Sequence, residues 1–140
     1  MGEISFTEQP LRILMAEDNA INQRVGKLIL QRAGFQIDLV ADGNEALAAH
    51  TAAPYDVILM DCQMPTMDGF EASRQIRQLI GKQPVIIAVT ANALLGERER
   101  CLEAGMDDYL SKPFQAEQLV SVVKKWLIAG RDGISRPPQE

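Results

Sequence analysis

Five short apolar runs, each ending in polar or charged residues and each followed by a helical pattern, constrain this 140-residue chain more than any other feature. The runs are Leu11–Ala16, Phe35–Ala41, Val57–Met60, Val85–Thr90 and Met106–Ser111. An unbroken apolar run bounded by turn residues reads as a strand buried on both faces. Phe35–Ala41 partly alternates, so it is expected to be less buried and near an edge. Between the runs, Ile21, Val25, Leu28 and Ile29 predict the apolar face of a first helix, stopped by Gly34. Asp42-Gly43-Asn44-Glu45 opens an alanine-rich second helix reaching about Ala53, with Asp42 as its cap and Glu45 three residues on. Ala72, Ile76, Leu79 and Ile80 form the stripe of a third, closed by Gly81. The fourth, Leu94–Ala104, sets Leu94, Leu95, Cys101 and Leu102 against a polar face of Glu97, Arg98, Glu99, Arg100 and Glu103. Leu119, Val120, Val123, Trp126 and Leu127 mark the fifth. Strictly alternating strands and helices imply an α/β fold with a parallel sheet and right-handed crossovers. A (β/α)₈ barrel needs ~250 residues. The pattern therefore predicts a single doubly wound, five-stranded parallel sheet of order 2-1-3-4-5, the flavodoxin-like (βα)5 arrangement.

Composition removes several function classes. A net charge of −5 argues against a nucleic-acid-binding face. No apolar stretch approaches the ~20 residues of a membrane span, and none has the form of a signal peptide. Cys62 and Cys101 lack metal-ligand spacing and read as small buried hydrophobes in a reducing, cytoplasmic setting. His50 stands alone on the second helix and reads as a surface residue, with no role as a phosphodonor. Residues 1–10 read as a leader or linker, 11–128 as one domain, and 129–140 as a tail or linker.

In the expected strand order, the carboxyl ends of strands one, three, four and five share one rim, where open parallel sheets bind ligands. Strand one delivers Glu17 and Asp18, strand three Asp61, strand four Thr90 and strand five Lys112. Carboxylates that close repel one another unless a cation sits among them. With no His/Cys cluster, the implied ion is hard and oxygen-loving. Mg²⁺ fits, because it takes one or two carboxylates and completes its shell with water and phosphate oxygens. A phosphoryl group is the visitor this set suits, with Lys112 and Thr90 neutralising and hydrogen-bonding its oxygens. Asp61, expected to be exposed at the centre, is the candidate nucleophile forming an acyl phosphate. Taken alone, each residue has a plainer reading: Asp61 a helix cap, Thr90 a turn residue, Lys112 a solvated surface charge.

Five motifs now stand in order: Glu17-Asp18-Asn19, Met60-Asp61, Met64-Pro65 with Met67-Asp68-Gly69, Thr90-Ala91-Asn92-Ala93, and Asp108-Tyr109-Leu110-Ser111-Lys112-Pro113-Phe114. Together they resemble the receiver domain of two-component response regulators, over roughly residues 11–128. The wording of Asp-Cys-Gln-Met-Pro looks most like receivers attached to hybrid sensor histidine kinases. The resemblance implies that Asp61 is the phosphoacceptor and that Asp18 ligates Mg²⁺ directly while Glu17 acts through water. It further implies that the Gln63 backbone carbonyl is a metal ligand, that Thr90 and Tyr109 move on phosphorylation, and that Lys112 binds phosphate ahead of a cis peptide to Pro113. Asn92 and Gln63 would set how fast water removes the phosphate. Glu17 departs from the commoner Asp, and Gln115 stands where a better helix cap is usual.

The implied function is a phosphoacceptor switch. A phosphohistidine on a histidine kinase or a histidine-containing phosphotransfer domain would supply the phosphoryl group, and a downstream domain of the same protein would read the result. The isolated domain would be no enzyme beyond its own phosphorylation and dephosphorylation; its parent would be a hybrid kinase, cytoplasmic or the cytoplasmic part of a membrane-anchored one. The domain itself would contact neither nucleic acid nor membrane. The rival is an aspartate-nucleophile phosphatase on a similar sheet, which places a second acid two residues after the nucleophile; here that position is Gln63. A flavin-binding module of the same strand order needs a phosphate loop where this chain has Glu17-Asp18-Asn19, which repels anions.

Overall fold

A computed structural model of the chain describes residues 11–91 and 96–129. The strands are β1 (Ile13–Ala16), β2 (Ile37–Val40), β3 (Val57–Asp61), β4 (Val85–Thr90) and β5 (Asp108–Ser111). The helices that follow them in turn are α1 (Ala20–Arg32), α2 (Gly43–Ala52), α3 (Gly69–Arg77), α4 (Glu97–Glu103) and α5 (Ala116–Ala129). The sheet order is β2-β1-β3-β4-β5 with every pairing parallel, as the alternating pattern predicts.

Strand periodicity divides the core. Leu14, Ala16, Ile58, Met60, Ile86 and Ala88 point to one face, where Ala46 of α2, Phe70, Ala72 and Ile76 of α3, and Cys101 of α4 cover them. Their neighbours Ile13, Met15, Val57, Leu59, Val85, Ile87 and Val89 point to the other, under Leu30 of α1 and Leu119, Val123 and Trp126 of α5. Val57, Ile58, Leu59 and Met60 of β3 are all buried, so that stretch has to be apolar on both faces. β2, at one edge, is less buried than β1, β3 and β4.

The structure corrects three of the helical stripes. On α1, Ile21 (71% exposed), Val25 and Leu28 face outward; Gly26 and Leu30 are the buried residues. A Cβ on Gly26 would stand 2.4 Å from the Met15 methyl, so the helix lies close on β1 through its glycine rather than through its aliphatic stripe. On the third helix, α3 ends at Arg77, capped by Gln78, which leaves Ile80 fully exposed beyond it. On the fourth, Glu97 is buried while Leu102 is partly exposed; Leu94 and Leu95 lie outside the described residues. The readings of residues 1–10 and 130–140 also fall outside them.

At the start of α5 the Gln115 N–H donates to Gln118 Oε1 at 2.7 Å, the reciprocal half of a capping box.

Candidate functional site

Each site residue is carried out of the core by a strand. Glu17 follows β1 directly, and its N–H donates to the Val40 carbonyl at 3.0 Å, so the parallel ladder delivers it to the rim. Its carboxylate accepts from the Asn19 N–H (3.1 Å) and the Asn22 amide (3.4 Å). Asn19 caps α1 through its side chain, and Gln23 donates to the Glu17 carbonyl at 2.6 Å. The Asn19-x-x-Asn22-Gln23 spacing is therefore the first turn of a helix that clamps the acidic corner. Asp18 stays exposed beside it.

Asp61 ends β3, and the structure corrects its expected exposure: the residue is only 5% exposed. The following loop folds back so tightly that a Cβ on Gly69 would lie 2.2 Å from the Asp61 carbonyl oxygen. Only glycine allows that approach. Asp61 Oδ1 accepts from the Gln63 N–H at 3.1 Å, and Oδ2 meets Lys112 Nζ at 3.2 Å. Lys112 also reaches Glu17 Oε1 at 3.2 Å. Its backbone N–H donates to the Thr90 carbonyl at 2.7 Å, and the peptide to Pro113 is cis, as expected.

Glu17, Asp18 and Asp61 offer oxygens that all lie within 4.8 Å of one another. Three carboxylates thus crowd together, and the Lys112 ammonium pairs with two of them, Glu17 and Asp61. Desolvation by burial, aided by the charge of Glu17, pushes Asp61 up to about 6 despite the Gln63 hydrogen bond and Lys112. On the other partner, the two carboxylates outweigh desolvation and hold Lys112 above the ordinary lysine range, so it stays charged. The donor set is all oxygen, carries surplus negative charge, and sits at a sheet's carboxyl edge; it suits a hard divalent cation.

The remaining candidates are placed differently. Thr90, the last residue of β4, is buried, and its hydroxyl donates to Glu97 Oε2 at 3.0 Å. Tyr109, on β5, is half-buried against the core on the α2–α3–α4 side. Asn92 lies outside the described residues. Glu97 is the residue that sequence reasoning missed, since nothing in the run Glu97–Arg100 distinguishes a buried acid from a solvated one. His50 also needs correction: it is buried, with Nδ1 accepting from the Tyr55 N–H at 3.0 Å and Nε2 3.3 Å from the Lys82 carbonyl. Cys62 and Cys101 are buried free thiols, as read; their mutual hydrogen bond and burial hold Cys62 well above the ordinary thiol range.

The sequence pattern of the response regulator receiver domain matches residues 13–124. The chain belongs to that family. Among solved structures, the receiver resembles that of a sensor histidine kinase from Pseudomonas aeruginosa, which has a magnesium ion coordinated in its active-site cleft. The two share 46% identity with a TM-score of 0.79, covering 85% of this chain and 98% of that one. It also resembles the receiver domain of Ssk1 from Saccharomyces cerevisiae, solved with the histidine phosphotransfer protein Ypd1. That pair has 27% identity and a TM-score of 0.79, covering 86% of this chain and 90% of that one. Hybrid signal transduction histidine kinase I of Dictyostelium discoideum is 42% identical over 130 residues, covering 86% of this chain and 8% of the relative. The receiver thus spans less than a tenth of that kinase's length. It is a receiver domain of the two-component and phosphorelay type, with hybrid histidine kinases among its relatives; the phosphatase reading finds no support.

Proposed function

We propose that Asp61 accepts a phosphoryl group from a phosphohistidine, and that residues 11–128 are the unit that does so, with 1–10 and 129–140 as connecting segments. One observation carries this reading: three carboxylates converge within 4.8 Å of one another, with Asp61 held between Gln63 and Lys112. Glu17, Asp18, Asp61 and the Gln63 carbonyl would hold Mg²⁺, with Asp18 ligating directly and Glu17 through water. When bound, the ion neutralises the carboxylates and stabilises charge on the phosphoryl oxygens.

The chain's own residues do the rest. An Asp61 carboxylate oxygen attacks phosphorus; the O–P bond forms as the N–P bond breaks, and the imidazole keeps the electron pair. Lys112 pairs with a phosphoryl oxygen as a point charge, and Thr90 and Tyr109 move in response. As a domain, the receiver acts only on its own carboxylate.

The phosphodonor is a histidine kinase or histidine phosphotransfer domain, and the outward face of α1 is where it lies. Ile21, Val25 and Leu28 form an exposed apolar stripe there. A cavity of ≈ 450 Å³ lined by Val25, Glu17, Lys112, Pro113 and Phe114 joins that stripe to the acidic site. An apolar patch beside the reacting carboxylate suits a protein donor. The output passes to another domain of the same protein or to the next carrier of the relay. The parent is a hybrid kinase working in the cytoplasm; among the described residues no helix is long and apolar enough to cross a membrane.

Intact-mass measurement after acetyl phosphate and Mg²⁺ treatment tests the reading. One phosphoryl adduct is expected, lost in Asp61→Asn. An adduct persisting in that variant overturns the assignment.

A further inference from the structure

We propose that Glu97 is a positioning residue that holds the Thr90 hydroxyl off the phosphoryl site until Asp61 is phosphorylated. The proposal rests on the reading of Asp61 as acceptor and Thr90 as the hydroxyl that answers it. A threonine hydroxyl has one proton to donate. In this structure that proton goes to Glu97 Oε2, 3.0 Å away. Both residues are buried, Thr90 at 2% exposure and Glu97 at 5%, so water does not compete for either group. While the bond stands, the same proton is not available to an oxygen on Asp61.

The position of Glu97 in the chain gives the bond a mechanical consequence. Gly96, in the left-handed region at φ 96°, starts α4 without any side-chain cap, and Glu97 is the helix's first residue. Its other oxygen lies 3.5 Å from Arg100, whose guanidinium rests over the Phe70 ring at 4.2 Å. Among the described residues, the thiols of Cys62 and Cys101 also feel its charge, which helps raise Cys62. Thr90 and Arg100 therefore share the neutralisation of one buried carboxylate. If Thr90 turns to the phosphoryl group, Glu97 keeps Arg100 among the described residues, and the first turn of α4 loses this hydrogen bond to β4. Occupancy of Asp61 is thereby converted into freedom of a helix end. Opposing that turn is a hydrogen bond to a buried charged acceptor, so Glu97 sets the equilibrium of the switch.

The test uses the full chain and the initial rate of Mg²⁺-dependent phosphoryl incorporation from acetyl phosphate, read by intact mass. Glu97→Ala should raise the rate roughly tenfold, the worth of one hydrogen bond to a charged group. Glu97→Gln keeps an acceptor oxygen and should give a smaller rise. In a Thr90→Val background, Glu97→Ala should change the rate by no more than about twofold, because the group it acts through is gone. A merely structural role would give the same effect in both backgrounds, and that result overturns the proposal. So does an unchanged or slower rate in Glu97→Ala while wild type incorporates normally. Should Glu97→Ala fail to fold, Glu97→Gln decides: a rate above wild type that disappears in Thr90→Val supports the proposal, and any other result overturns it. If wild type itself takes up no phosphoryl group, the Asp61 reading fails, and this proposal with it.

Discussion

The two ends of the sheet handle charge in opposite ways. At the amino-terminal end, ionised groups are balanced and tied to backbone. Arg12 donates to the Pro54 and Ala53 carbonyls and lies over the Tyr55 ring; Asp56 accepts from the Arg12 N–H and pairs with Lys82. Arg77 donates to the Gly105 and Pro84 carbonyls, to Gln83, and at 2.8 Å to Asp107, which also accepts from the Ile86 N–H. At the carboxyl-terminal end, three carboxylates crowd one another with one lysine paired to two of them, and one of the three is pushed up to about 6. The first end closes the fold. The second stores unfavourable negative charge that a cation can relieve.

That contrast can be broken from either side. The largest effect is expected at the balanced end: Arg77→Ala removes the guanidinium 2.8 Å from buried Asp107 and should cost about 3 kcal/mol. Chemical denaturation measures the loss, and Mg²⁺ affinity measured alongside should not change. The unbalanced end should show the reverse sign. Burial raises Asp61 from 3.8 to about 6, equivalent to about 3 kcal/mol. Solvent screening at the cleft mouth cuts this to about 1–2 kcal/mol. Because the folded value lies above the unfolded one, metal-free stability falls as pH rises from 3.8 through about 6 and stays reduced above it. Asp61→Asn should therefore stabilise the magnesium-free protein at pH 7 by about 1–2 kcal/mol while abolishing phosphorylation. Equilibrium melts with a chelator present decide the point.

His50 sharpens the comparison with a smaller effect. Burial lowers its value from 6.5, so the unfolded chain takes up the proton first, and stability falls as pH drops below 6.5. In an Asp61→Asn background the two opposed trends separate. The fall below pH 6.5 should remain there and flatten in Asp61→Asn/His50→Gln, as melting at a series of pH values would show. Smallest of all, Val25→Ser on the outward face of α1 should change stability by no more than about 0.5 kcal/mol. It should leave incorporation from acetyl phosphate intact yet slow transfer from a phosphohistidine-carrying protein, measured by radiolabelled transfer.

Much of this was legible in the residues. Short apolar runs ending in Glu17-Asp18, Asp61, Thr90 and Lys112 carry both the strand order and the rim on which those groups meet, because parallel crossovers leave few alternatives. Which way a helix turns its apolar stripe is a different matter. Ile21, Val25 and Leu28 have the spacing of a core face, and only the close fit of Gly26 on Met15 shows that the helix is seated elsewhere. Tertiary covering was equally unreadable. Asp61 is buried because the Gly69 loop returns over it, His50 because Tyr55 and Lys82 supply its partners, and Glu97 because Thr90 faces it. Each of those facts joins residues from different elements, where local periodicity carries no signal.

The central claim is that the surplus negative charge at the carboxyl end is a cation site. Isothermal titration of Mg²⁺ into the full chain at pH 7 tests it most directly. Saturable binding of one ion per chain is expected, weakened by at least about tenfold in both Asp18→Asn and Asp61→Asn and untouched in Arg77→Ala. Binding that ignores the loss of either carboxylate, or no binding at all, would contradict it.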